Sequence, residues 1–130
     1  MAIIKLSDAH LAALRPLEAE LKRAVAAAEP DAAIEAAARI QALFDFDRTH
    51  HRLLRAKLWA FEACVDANRL SYAERGLIGV RNLAGATTRL SLEAGALLAV
   101  VLLRQKKATE AKKLIRDVIE NINNITSDRT

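Results

Sequence analysis

Residues 92–103 read LEAGALLAVVLL, and from Ala94 to Leu103 every residue is apolar or glycine. A helix that is apolar along one stripe needs cover on that side only, whereas one that is apolar all round has to be surrounded. The other segments of the chain are striped, so this stretch predicts a central helix against which striped helices pack. The run is well short of the ~18–20 apolar residues that span a bilayer, so it predicts burial in protein and no membrane partner.

Composition points the same way. The chain has 130 residues, near the commonest size for one domain and enough to bury a core. Ala is the commonest residue, while Gly (4), Pro (2) and aromatics (4%) are scarce, so strong helix formers dominate and an all-α domain is expected. The net charge of +4 permits attraction to nucleic acid but is too mild to demand it. Residues 1–65 carry nine Lys and Arg against nine Asp and Glu, and residues 66–130 carry eleven against seven, so the excess is C-terminal. The single Cys64 cannot form a disulfide within the chain, which fits a reducing compartment. The first ten residues, MAIIKLSDAH, do not read as a secretory leader, so a cytoplasmic protein is the default expectation.

The striped helices follow in order. Ser7 caps a turn or two that Pro16 interrupts or restarts, and Leu14, Leu17, Leu21, Ala24, Val25 and Ala28 predict a first full helix over about 16–28. Glu29-Pro30-Asp31 breaks the chain and opens a second helix with Ala33, Ala36, Ala37, Ile40, Leu43 and Phe44 inward. Asp47 or Thr49 is placed to cap a third helix reaching about Ala67, whose two apolar sets (Leu54, Leu58, Phe61, Val65 and Leu53, Ala60, Cys64, Ala67) call for neighbours on both sides. Ser71 and Glu74 have capping-box spacing for a fourth helix with Ala73, Leu77, Val80 and Ala84 inward, and Gly85 suits a left-handed C-cap. Thr87 or Thr88 opens the fifth. A sixth starts near Ala108 with the stripe Ala111, Leu114, Ile115, Val118, Ile119 and Ile122. One domain over 1–124 with a frayed tail at 125–130 is expected.

Six helices with short turns make three antiparallel hairpins, with midpoints near Asp31, Leu70 and Lys107 that lie about 37–39 residues apart, a repeat period. The last unit, LLAVVLLRQKKATEAKKLIRDVI, resembles the tetratricopeptide repeat. Leu98-Ala99 stands where that family has its Leu-Gly pair, Leu102 at the aromatic position, Glu110-Ala111 at the small residue opening the second helix, and Ile115 and Val118 at the later positions. Phe61, Cys64, Ala73, Leu77 and Val80 match in the middle unit. In the first unit Ala36, Ile40 and Leu43 match, with Ala33 as another register. The chain departs from the family in lacking the turn Gly at Lys106 and a terminal Pro near Asn123. The resemblance, over residues 30–124, implies a right-handed αα superhelix whose inner face, here helices three and five, holds a peptide or partner protein. Helix five is too apolar to offer many polar contacts. A compact helical bundle is the alternative architecture.

Catalytic and metal-binding patterns are weak. His50 and His51 are adjacent and point about 100° apart on a helix, which does not suit one metal, and Asp45 and Asp47 leave only a loop site with them. On a continuous third helix His50 and Cys64 lie roughly 21 Å apart, too far for a dyad. No Gly-rich phosphate loop, nucleophile elbow or paired-Cys zinc pattern occurs. Glu62 and Asp66, one turn apart, lack the second carboxylate helix that a metal centre needs. No enzyme activity, metal or cofactor is expected.

Basic residues form two groups: Arg48, Arg52 and Arg55 at helical spacing, and Arg104, Lys106, Lys107, Lys112, Lys113 and Arg116 at the last hairpin. Such side chains can position phosphates, but no aromatics are interleaved for base stacking. Trp59 is either a core residue or an exposed anchor. The expected function is a non-enzymatic helical-repeat module that binds a protein or peptide as scaffold, adaptor or regulatory domain. Arg48, Arg52, Arg55, Trp59, Lys106, Lys107 and Lys112 are its candidate partner-binding residues. A nucleic-acid-associated domain using the basic groups is the alternative, and a small immunity-type inhibitor of a partner enzyme is a third. The end hairpins of a repeat stack need polar outer faces or a partner, so the Ile115, Ile119 and Ile122 side of helix six raises the expectation of a homo-oligomer.

Overall fold

Ser7 opens the first helix as its sequence position demands: its Oγ accepts a hydrogen bond from the His10 N–H at 3.1 Å. The structure, a computed structural model, describes residues 6–85 and 88–128, with side chains as far as Asn124. Six helices follow one another: α1 Asp8–Ala26, α2 Pro30–Ala42, α3 His51–Asp66, α4 Leu70–Ala84, α5 Arg89–Arg104 and α6 Ala108–Asp128. The described residues are otherwise turns and short loops, so the fold is all-α.

The turns inside the three hairpins are built alike. Ala28, Asn68 and Lys106 take positive φ of 55°, 62° and 63°. Around them, Glu29 N–H donates to Ala24 C=O, Arg69 N–H to Cys64 C=O and Lys107 N–H to Leu102 C=O, with the inner bond of a Schellman turn beside each. The next helix then brings Ala33, Ala73 and Ala111, all fully buried, to matching places. This selects the Ala33 register in the first hairpin over the Ala36 one. The turn Gly missing at Lys106 is replaced by a lysine in the same left-handed conformation.

Packing is between near neighbours. Each helix touches the next along the chain, and α3 also touches α1 and α5; among the described residues α2, α4 and α6 make no contact with one another. The core divides accordingly into two clusters. One joins α1, α2 and the near side of α3 through Leu14, Leu21, Ile40, Phe44, Leu53 and the small residues Ala56, Ala60 and Ala63. The other joins the far side of α3 to α4, α5 and α6 through Leu58, Cys64, Val65, Leu77, Leu98, Val101 and Leu114. α3 therefore serves neighbours on both sides, but the expected sets are not kept: Cys64 joins Leu58 and Val65 rather than Leu53 and Ala60, and Ala67 is exposed.

Equivalent positions in the three hairpins differ in a regular way. Ala13, Pro16, Glu20 and Arg23 on α1 are exposed. Their equivalents on α3 (Leu53, Ala56, Ala60, Ala63) and on α5 (Ser91, Ala94, Leu98, Val101) are buried, because those rows face the preceding hairpin. The rows that face the following hairpin behave in the opposite sense. Val65 on α3 and Leu77 on α4 are buried, whereas their last-hairpin equivalents Leu103 and Ile115 are 52% and 39% exposed.

Several expectations change. The all-apolar α5 is not central: Ala96, Val100 and Leu103 form an exposed row on it, and the most surrounded helix is α3. An apolar side chain can equally lie on a side that no described helix covers. α1 runs unbroken through Pro16, because Pro16 and Ala12 are both exposed and the freed carbonyl can meet solvent. Neither Asp47 nor Thr49 caps α3. Asp47 Oδ1 binds the Thr49 N–H and hydroxyl, and the His50 ring Nδ1 accepts from the Arg52 N–H at 3.2 Å. The Ser71 capping box does not form, since the turn at Asn68 starts α4 at Leu70. Gly85 does close α4 with φ 86°, though its ψ of 140° is extended rather than left-handed helical. Thr88 caps α5 by accepting from the Ser91 N–H at 3.2 Å, while Thr87 lies outside the described residues. α6 runs to Asp128, with Ala111 and Leu114 buried and Ile115, Ile119 and Ile122 exposed.

Candidate partner-binding groove

The sides of α1, α3 and α5 that touch no other helix form one surface. α3 is tied to α1 by Arg52, whose guanidinium meets both carboxylate oxygens of Glu18, and to α5 by Arg55, which meets Glu93. Glu93 also lies 3.8 Å from Arg89. Between α3 and α5 runs a recess of about 430 Å³ lined by Arg55, Leu58, Trp59, Glu62, Glu93, Ala96, Leu97 and Val100. Trp59 is half-buried, with its ring under Lys22 of α1, whose Nζ is 5.2 Å from the ring centroid. Hence α1 presents Arg15 and Lys22, α3 presents Trp59 and Glu62, and α5 presents Leu97 and Val100. The surface carries cations on α1, the Glu62 carboxylate beside Trp59 on α3, and apolar side chains on α5.

The predicted site residues separate into different roles. Arg48 lies in the loop before α3, not on the helix, and pairs with Asp45 at 3.1 Å. Arg52 and Arg55 hold helices together and have their charge answered; Arg55 and Trp59 both line the recess and are partly accessible, but Arg55 is engaged by Glu93. Lys107 binds Glu74 of α4 at 3.1 Å, as Arg69, at the matching place one hairpin earlier, binds Asp31 of α2 at 2.6 Å. Arg104 donates to Val65 C=O at 2.9 Å, capping the end of α3. Lys106 is the exposed turn residue, and Lys112, with Lys113 and Arg116, stands exposed on α6. Neither basic group converges on a common point. The residues missed from the sequence are Lys22, Leu97 and Val100, which only the packing of the odd-numbered helices brings beside Trp59.

The histidines lie together in the α2–α3 loop region: His10 packs edge-on to Phe46, and His50 stacks on His51 with centroids 4.6 Å apart. Among the described residues no three His, Cys, Asp or Glu side chains gather where they could hold a metal ion. Burial raises the pKa of the Cys64 thiol, which places this residue with the core rather than with reactive thiolates. A second recess of about 330 Å³ separates α2 from α4, lined by Ile34, Phe61, Tyr72, Gly76, Leu83 and Lys57 among others. Burial, and secondarily Arg48, lowers the pKa of the Lys57 ammonium there. No described helix is long and apolar enough to cross a membrane. Compared with protein-family models, with curated proteins and with solved structures, the chain finds no match in any of the three.

Proposed function

We propose that the protein is a non-enzymatic helical-repeat module, a tetratricopeptide-like superhelix of three hairpins, that binds a peptide or protein segment in the groove of α1, α3 and α5. The observation that carries this reading is the half-buried Trp59, flanked by Lys22 on one side and by the recess with Leu97 and Val100 on the other. The three like-built turns and the contacts of α3 with α1 and α5 support the superhelix, whereas a closed bundle would bring α1 and α6 together, and those helices do not touch among the described residues. The chemistry of the groove suits a segment with an aromatic or aliphatic side chain for the recess and an acidic residue directed at Lys22 and Arg15. Aromatic anchors of this kind carry much of the affinity at protein interfaces.

Trp59 is the only tryptophan, so its emission reports on the groove. A peptide library varied in charge around one apolar anchor is titrated against the protein by tryptophan fluorescence. The expected outcome is binding by acidic, apolar-anchored peptides that shifts the emission of the parent chain and, followed by the anisotropy of a labelled peptide, weakens about tenfold or more in Trp59→Ala and Val100→Asp. Binding indifferent to both substitutions would exclude this groove. Labelled oligonucleotides form the control arm. Four cations of the nucleic-acid reading, Arg48, Arg52, Arg55 and Lys107, are already engaged by carboxylates, so salt-sensitive micromolar binding of an oligonucleotide would be the result that favours that reading instead.

A further inference from the structure

The last hairpin leaves uncovered the rows that every earlier hairpin covers. Where Val65 and Leu77 lie under the following helix, Leu103 and Ile115 stand in the open, and Ile119, at the place of Arg81, is 52% exposed. They make one apolar face across α5 and α6, alike in composition to the interfaces inside the molecule. We infer that this face is the seat of a second copy of the chain, joined through its own identical face about a two-fold axis.

Two observations select that occupant. The opposite end of the stack, which a head-to-tail neighbour would have to offer, exposes Ala13, Pro16, Glu20 and Arg23, with Glu20 and Arg23 already paired at 2.7 Å. Half of that row is charged and already paired, so leucine and isoleucine bury less apolar area there than against their own copy, and such a contact closes at two chains. The charges along α6 are also self-complementary. The exposed Arg116 and Glu120 sit a turn apart beside Ile119. When two α6 helices cross antiparallel near Ile119, Arg116 of each chain comes to Glu120 of the other, giving two reciprocal pairs around the apolar centre. The arrangement does not involve the groove at Trp59 and stands or falls separately from it.

The test is sedimentation velocity with light scattering on the full chain from roughly 1 to 100 µM. The expected result is a reversible rise to twice the 14.2 kDa chain mass. Ile119→Asp, at an exposed position, weakens the association about tenfold or more with an unchanged circular dichroism spectrum. Arg116→Glu alone also weakens it, and Arg116→Glu with Glu120→Arg restores it. Trp59→Ala leaves the dimer in place. A monomer throughout the range, a mass that keeps growing past two chains, or a dimer unaffected by Ile119→Asp would overturn the proposal. Failure of the double reversal to restore association would overturn the antiparallel crossing.

Discussion

The two ends of the stack are made from equivalent positions and differ in kind. At the first end, the row that would face a preceding hairpin is Ala13, Pro16, Glu20 and Arg23, which solvent accepts. At the last end, the rows that would face a following hairpin keep the residue types of an interior interface, with Leu103 and Ile115 exposed where Val65 and Leu77 are covered. Position within a hairpin does not by itself decide whether a residue is core. The presence or absence of a neighbouring hairpin decides it, and the chemistry of each end records which case applies.

The sharpest way to break this comparison is to truncate equivalent residues. Leu98 is buried against the preceding hairpin and Glu20 is its exposed counterpart. Leu98→Ala should cost about 2–5 kcal/mol through lost burial and the cavity left behind. Glu20→Ala should leave the urea midpoint where it was. Likewise Leu77→Ala should be far more costly than Ile115→Ala when both are measured at concentrations too low for association. Equal losses for that second pair would mean that Ile115 is covered within the single chain.

The turns offer a smaller contrast. Lys106 and Ala28 hold left-handed backbone that costs a side-chain-bearing residue about 1 kcal/mol or more, so Lys106→Gly and Ala28→Gly should each raise the melting temperature. Asn68→Gly should gain less, because asparagine tolerates that conformation. A lower melting temperature for Lys106→Gly would indicate that the lysine contributes more than its backbone shape.

The smallest effect concerns Asp31. The hydrogen bond from Arg69 holds its carboxyl below the ordinary aspartate range. A folded-state pKa below the unfolded one gives a contribution that is complete above the ordinary value and is lost as the pH falls through the folded one. Stability measured at about pH 6 and about pH 3 should therefore fall slightly less in Asp31→Asn than in the parent chain. Both side chains are well exposed, which keeps the difference small. A larger fall in Asp31→Asn would contradict the assigned direction.

Where helices begin and end was legible from local chemistry. Ser7, Pro30 and Thr88 stand where their capping and first-turn preferences put them, and the apolar stripes of α2 and α4 are the ones buried. The cap of α3 was not legible, since a histidine ring nitrogen does there what Asp47 or Thr49 promised to do. Ser71 and Glu74 carried a capping signal that the Schellman turn at Asn68 overrode. Misplacing the central helix had a different cause. The apolar count of α5 exceeds that of α3, but α3 achieves burial with alanines that let four neighbours approach, and the sequence does not say how many sides will be occupied. The pairing of the basic stripe was not legible for a related reason. Arg52 and Arg55 look free along the chain, and their partners Glu18 and Glu93 lie 34 and 38 residues away. Of the candidate site, the sequence identified Trp59 and the pair of helices α3 and α5; Lys22, Leu97 and Val100 needed the packing.

α3 belongs to both core clusters, giving Leu53, Ala56, Ala60 and Ala63 to one and Leu58, Cys64 and Val65 to the other. No cut in the chain can therefore divide it into halves that each retain a whole core, since whichever fragment loses α3 loses one wall of its interior. The two clusters share a helix rather than a border, so loosening either one is felt by the other through the rigidity of α3. A chain whose long-range contacts reach only the next hairpin would otherwise be free to melt piecemeal from its ends. The shared helix therefore predicts one cooperative unfolding transition rather than two.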